Sequence, residues 1–182
     1  MIFNLLPFGL CALALVRAAP PLQVPLASCD VKLSTLPAVD TNSDFSGIAP
    51  GRYTIVNSAT GTLLRSDEHD EPVFVSSGAP DPSAIWEIKR ELGWFKIYNV
   101  GLGAGTFAGS NEEIISGGEQ EAGQFQIDRK GADVYTISAG HEKLGDMVWT
   151  VKDVNSKFPH VGLAPWRGRE EQLWKFGRIY YE

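Results

Sequence analysis

Cysteine is scarce in this 182-residue chain: there are two, Cys11 and Cys29. With so few thiols, a disulfide framework or a cysteine-rich zinc site is excluded, and stability has to come from core packing. Histidine is scarce too. His69, His141 and His160 are scattered, with no His-Glu-x-x-His, so a metal centre has no recognisable ligand set. No run of Lys and Arg occurs, and the net charge is −6, which argues against a nucleic-acid surface, because phosphate binding needs clustered cations. No Asn-x-Ser/Thr sequon is present, and neither is a Gly-x-Ser-x-Gly nucleophile elbow. The carboxylates Asp67, Glu68, Asp70 and Glu71 lie in one short segment, whereas sugar hydrolysis needs two carboxyl groups on opposed walls of a cleft. These absences lead to the expectation of a non-enzyme with no cofactor and no metal.

What is present fits one folded domain. Hydrophobic residues make up 43% of the chain and charged residues 21%, ordinary globular values. The apolar run from Ile2 to Val16 is interrupted by Asn4, Pro7 and Gly9, too short and too broken to span a bilayer securely. Val16-Arg17-Ala18 follows it, with compact residues where a signal peptidase reads. Residues 1–18 are therefore expected to be a signal peptide, the protein secreted, and no membrane contact kept after cleavage. A signal anchor is the alternative. Cleavage removes Cys11 and leaves Cys29 as a lone thiol. A monomer is the default, with a Cys29-linked dimer as the other option. Residues 19–50 are Pro-rich and lack sustained periodicity, which predicts a flexible leader before a domain over 51–182.

Within that domain one pattern recurs three times. Arg52-Tyr53-Thr54-Ile55-Val56-Asn57, Trp94-Phe95-Lys96-Ile97-Tyr98-Asn99 and Val134-Tyr135-Thr136-Ile137-Ser138 alternate in the manner of half-buried strands. Their aromatic leaders Tyr53, Phe95 and Tyr135 are 42 and 40 residues apart. Each is followed by three further short apolar segments. The second strands are Thr62–Leu64, Thr106–Ala108 and Met147–Trp149, and the third are Val73–Val75, Ile114–Ile115 and Val161–Leu163. The fourth are Trp86–Ile88, Phe125–Ile127 and Trp174–Phe176. Four strands per unit suit a propeller blade or a trefoil lobe, and three units are too few for a propeller. The expected fold is all-β: a β-trefoil of three four-stranded lobes with pseudo-threefold symmetry. Gly101-Leu102-Gly103-Ala104-Gly105 is then a hairpin turn and not a phosphate loop, since no Gly-Lys-Ser/Thr follows and no helix comes next.

Val148-Trp149-Thr150-Val151, His160-Val161-Gly162-Leu163 and Glu171-Gln172-Leu173-Trp174-Lys175-Phe176-Gly177-Arg178-Ile179 resemble the ending of the fungal trefoil serine-protease inhibitors, the cospin-like family. Gly51-Arg52-Tyr53-Thr54-Ile55-Val56-Asn57 and Ile85-Trp86-Glu87-Ile88 resemble its first lobe. The resemblance spans about residues 51–182 and implies reversible binding of a serine endopeptidase through a surface loop, with no cofactor. Inhibition of cysteine proteases is a third possibility on the same architecture. Gln172-Leu173-Trp174 also matches the Gln-x-Trp signature of ricin-type trefoil lectins, although Ala84-Ile85-Trp86 and Gly123-Gln124-Phe125 do not repeat it. A glycan-binding lectin is accordingly the alternative function.

Two loops are candidates for the reactive site. The first holds Arg65, Ser66, Asp67, Glu68 and His69, with Arg65 as the residue for an acid-based primary pocket. Its plainer reading is a solvated acidic turn. The second holds Trp166, Arg167 and Arg169, a hot-spot composition. Its plainer reading is a Trp packed over the last hairpin, with the arginines paired to Glu170 or Glu171.

Overall fold

The computed structural model describes residues 47–140 and 146–180. The first lobe comprises β1 (Gly51–Asn57), β2 (Leu63–Arg65), β3 (Phe74–Ser76) and β4 (Ile85–Glu91). The second comprises β5 (Trp94–Asn99), β6 (Ala104–Ala108), β7 (Ile114–Gly117) and β8 (Phe125–Arg129). The third comprises β9 (Tyr135–Ala139), β10 (Met147–Val151), β11 (Val161–Pro165) and β12 (Trp174–Arg178). All twelve strands expected from the alternating pattern form, each within a few residues of its expected bounds. Signal peptide, most of the leader, Cys29 and His141 lie outside the described residues.

Strand pairing closes a barrel. β1 pairs with β4, β4 with β5, β5 with β8, β8 with β9, β9 with β12, and β12 returns to β1, every pair antiparallel. The remaining strands form the hairpins β2–β3, β6–β7 and β10–β11. Single bridges Pro72–Ile115, Phe74–His160 and Glu113–Gly162 join these hairpins in a ring across one end of the barrel. Six strands closed in a ring leave no open edge there, and three hairpins cap it: the fold is a β-trefoil.

The core follows the threefold pattern. Ile55, Ile97 and Ile137 occupy equivalent places and are fully buried. Trp86, Phe125 and Trp174 form a second such layer. Trp86 Nε1 donates to the Leu64 carbonyl (3.0 Å) and Trp174 Nε1 to that of Trp149 (3.1 Å), so each indole satisfies its polar atom while filling the barrel. Phe125 has no donor, and in its lobe the hydroxyl of buried Thr106 donates to Ile97 O instead (3.1 Å). Trp149 of β10 meets two aromatics of this layer edge to face, Phe125 at 5.0 Å and Trp174 at 6.3 Å.

The core begins earlier than the strand pattern suggests. Ile48 is 4% exposed and packs in the same cluster, and Tyr53 donates its hydroxyl to Ala49 O at 2.7 Å. Asn57 and Asn99 end the first strands of their lobes and are fully buried. Asn57 Nδ2 donates to the carbonyls of Glu171 and Leu173 while its Oδ1 accepts from Ala59 and Thr60. Asn99 repeats this with Ser83 O and Leu102 N. Each amide thus shapes the turn after its strand and ties it to the preceding lobe. For Asn99 that turn is the glycine-containing segment 100–103, with Gly103 at φ 64°.

Candidate functional site

The first candidate loop divides into a buried start and an exposed turn. Arg65 is the last residue of β2, opposite Phe74, and is 7% exposed. Its Nη1 donates to Asp81 Oδ2 (2.7 Å) and Ser83 Oγ (3.1 Å), and its Nη2 donates to Ala79 O (2.7 Å). Gly78, at φ 135°, leaves room for this guanidinium, since a Cβ there would lie 3.2 Å from Nη2. Arg65 is therefore not available to enter a protease pocket: its charge is spent holding the 77–84 segment against β2. Ser66 is also buried, at 1% exposure, and its amide donates to Ser83 O. Both residues are buried and hydrogen-bonded within the first lobe, so the exposed part of this candidate loop is Asp67, Glu68 and His69.

The Ser83 hydroxyl, followed by the Arg65 guanidinium, holds the Asp81 carboxyl down to a pKa of about 2. Asp81 thereby remains ionised where it caps the 3₁₀ turn Pro82–Ala84, accepting from Ser83 N and Ser83 Oγ on Oδ1.

Asp67, Glu68 and His69 do reach solvent. Asp70 takes φ 62° and donates its amide to Ser116 O (2.6 Å), so this turn is anchored on the second lobe. Asp67, Glu68 and Glu71 border a cleft of about 330 Å³ whose other wall is Phe74, Phe158 and His160. The fold thus brings His160 beside the acidic turn, a proximity that the spacing of these residues along the chain does not suggest.

The second candidate loop is exposed throughout. Trp166 is 38% exposed, and Arg167 and Arg169 are exposed. The expected pairing with Glu170 or Glu171 is not found: neither guanidinium forms an ion pair with a described carboxylate. Nor does Trp166 lie buried over the last hairpin; Lys130 Nζ sits 5.7 Å from its ring centroid instead. The loop is braced from within by Gln172, which is 2% exposed. Gln172 Nε2 donates to Pro165 O (2.9 Å) and Thr150 Oγ1 (3.2 Å), and its Oε1 accepts from Arg167 N (2.8 Å). One buried amide therefore fixes the backbone on both sides of Trp166. Gly168 at φ 68° turns the chain back toward Arg169, whose carbonyl accepts from Gln172 N. Arg167 and Arg169 border a cleft of about 500 Å³ together with Thr150, Asp153, Asn155 and Glu171.

A third exposed segment escaped the sequence reading. Between β10 and β11, residues 153–158 are exposed around Phe158, with Pro159 buried as an anchor whose carbonyl accepts from Val75 N. Phe158 stacks edge to face on Phe74 at 5.8 Å. Nothing in its local pattern separates it from a core aromatic. Among the described residues no group of three or more His, Cys, Asp or Glu side chains is placed to hold a metal ion, and no helix is long and apolar enough to cross a membrane.

No family model matches the chain, and no curated protein matches it. Solved structures do match in fold. The Rhizoctonia solani agglutinin superposes with a TM-score of 0.63 at 20% identity, over 72% of this chain and 97% of that one. A proteinase inhibitor from Coprinopsis cinerea gives 0.56 at 14% identity, over 72% and 99%. The BEL β-trefoil gives 0.56 at 18% identity, over 71% and 93%. At these identities the shared property is the β-trefoil fold, common to an agglutinin and a proteinase inhibitor alike.

Proposed function

We propose that this protein is a secreted inhibitor of serine endopeptidases that docks through the Trp166–Arg169 loop and offers Arg167 to the primary pocket. The apolar N-terminal run supports secretion. The observation that carries the inhibitor reading is the Gln172 brace: a basic, solvent-facing loop whose backbone is held at Pro165 O and Arg167 N by one buried side chain. A loop already fixed in its bound shape loses little conformational entropy on docking. Its two arginines have no described carboxylate to leave, so entering an acid-based pocket breaks no ion pair.

The test is inhibition of trypsin, chymotrypsin, subtilisin, papain and a Glu-specific protease by the purified protein. Inhibition of the trypsin-like member at nanomolar concentration, lost in Arg167→Ala and kept in Arg65→Met, supports the proposal. Inhibition of papain alone moves the target to cysteine proteases. No inhibition of any member at micromolar protein rejects an inhibitor of broad reach.

Glycan binding is the second reading. It is favoured by the exposure of Trp166 beside a groove of polar side chains, because an indole face stacks on a sugar ring while hydroxyls and carboxylates meet its oxygens.

A further inference from the structure

The outward face of β8 runs between two clefts that share Gln126 and Asp128. One, of about 370 Å³, continues to Trp94 and Leu92. The other, of about 390 Å³, continues to Asp146, Lys130 and Trp166. We propose that they form one groove that binds a neutral oligosaccharide chain along the barrel wall. The proposal rests on the glycan-binding reading, and the groove shares Trp166 with the proposed docking loop.

Strand register builds the groove. Gln126 stands opposite Ser138, and Asp128 opposite Thr136, while Ser138 stands opposite Val148 of β10. Phe95 pairs with Phe125, so one step along the antiparallel register brings Trp94 beside Gln126. Gln126, Asp128 and Ser138 therefore line one face of the barrel wall, with buried Thr136 and Val148 beneath it, Trp94 bordering the first cleft and Trp166 the second. Trp94 is held in place by Gly140: a Cβ there would lie 2.8 Å from two of the ring carbons and 2.8 Å from Gln124 O. Trp166 is positioned by its amide, which donates to Asp146 O at 3.0 Å.

The polar groups suit hydroxyls. Gln126 Nε2 donates to Asp128 Oδ1 (3.0 Å), which orients both side chains and leaves the amide oxygen and the second carboxylate oxygen as acceptors. Lys130 supplies a donor near Trp166, and Asp146 another acceptor. Mixed donors and acceptors beside aromatic faces match a molecule with apolar C–H faces and a hydroxyl rim. Anionic sugars and phosphates would face Asp128 and Asp146 across the groove. An extended peptide adds to a free strand edge, whereas β8 is paired on both sides, with β5 and β9.

The fluorescence of the protein tests this directly. Trp86, Trp149 and Trp174 are fully buried, so a saturable change on titration reports Trp94 and Trp166. The probes are the cello-, laminari-, chito- and β-galacto-tetraoses, after screening on a printed glycan array. The expected result is saturation by at least one of them, weakened about tenfold or more in Asp128→Ala and in Trp94→Ala, the scale of one good contact. Trp94→Phe is expected to retain most of the affinity, which separates loss of stacking from misfolding, and Asp128→Ala is expected to inhibit proteases as the parent does. Absence of binding to any array glycan or tetraose overturns glycan binding altogether. Saturable binding that Asp128→Ala, Gln126→Ala and Trp94→Ala leave unchanged overturns the groove while leaving glycan binding in place.

Discussion

Arg65 Nη1 and Asp81 Oδ2 lie 2.7 Å apart, and this pair ties the end of β2 to the turn that leads into β4. The guanidinium is almost enclosed, with 9% of the side chain exposed, while the carboxylate is 53% exposed. Its removal therefore costs buried hydrogen bonds more than Coulomb energy. Arg65→Met is expected to lower unfolding free energy by about 2 kcal/mol, from the charged bonds lost to Ala79 O and Asp81. Equilibrium denaturation measures this, and an unchanged midpoint would show that the arginine is dispensable to the fold.

The depressed Asp81 carboxyl makes this contact sensitive to acid. A folded pKa near 2 against an unfolded value of about 4 means that stability linked to this group is fully present above about pH 4 and is lost as pH falls through the folded value. Asp81→Asn should therefore differ from the parent by a constant amount at neutral pH, and the difference should shrink between about pH 4 and pH 2. Thermal melts across that range test the sign. A difference that grows on acidification would contradict it.

Gln172 should matter twice. Gln172→Ala removes the hydrogen bonds to Pro165 O, Thr150 Oγ1 and Arg167 N and is expected to cost about 1–3 kcal/mol of stability. If the brace also preorganises the docking loop, inhibition should weaken by more than the fraction unfolded explains. Inhibition constants measured well below the melting temperature separate the two effects. Equal inhibition by the folded variant would mean that the loop holds its shape without the brace.

Ser116 offers the opposite sign. It is fully buried on β7, its backbone bonds are made, and its Oγ has no hydrogen-bond partner among the described residues. Its place in the second lobe corresponds to Val75 and Leu163 in the others, through the pairs Thr106–Ser116, Leu64–Val75 and Trp149–Leu163. Ser116→Ala removes an unsatisfied hydroxyl and is expected to gain about 1 kcal/mol, or about 2–4 °C in Tm. Calorimetry decides, and a lower Tm would reveal a partner for the hydroxyl.

The β-trefoil was legible because burial imposes period-2 alternation and a closed threefold barrel imposes it three times over. Tyr53, Phe95 and Tyr135, or Trp86, Phe125 and Trp174, are equivalent in the chain because they are equivalent in the core. The loops carry no such constraint. Arg65 and Arg167 both follow short apolar segments and both look like solvent-facing cations. One is buried because Asp81, Ser83 and Ala79, some fifteen residues further along, fold back over it. The other stays in solvent because Gln172 supports its backbone from beneath and no described carboxylate reaches its head group.

The chain alone therefore determined the twelve strands, their grouping in lobes and the aromatic layers of the core, since each follows from local alternation and a repeat length. Which loop is free to bind, where His160 meets the acidic turn, and how Trp94 and Trp166 come to flank β8 were decided by tertiary structure. Those relationships join residues from different lobes, and their proximity exists only once the barrel has closed.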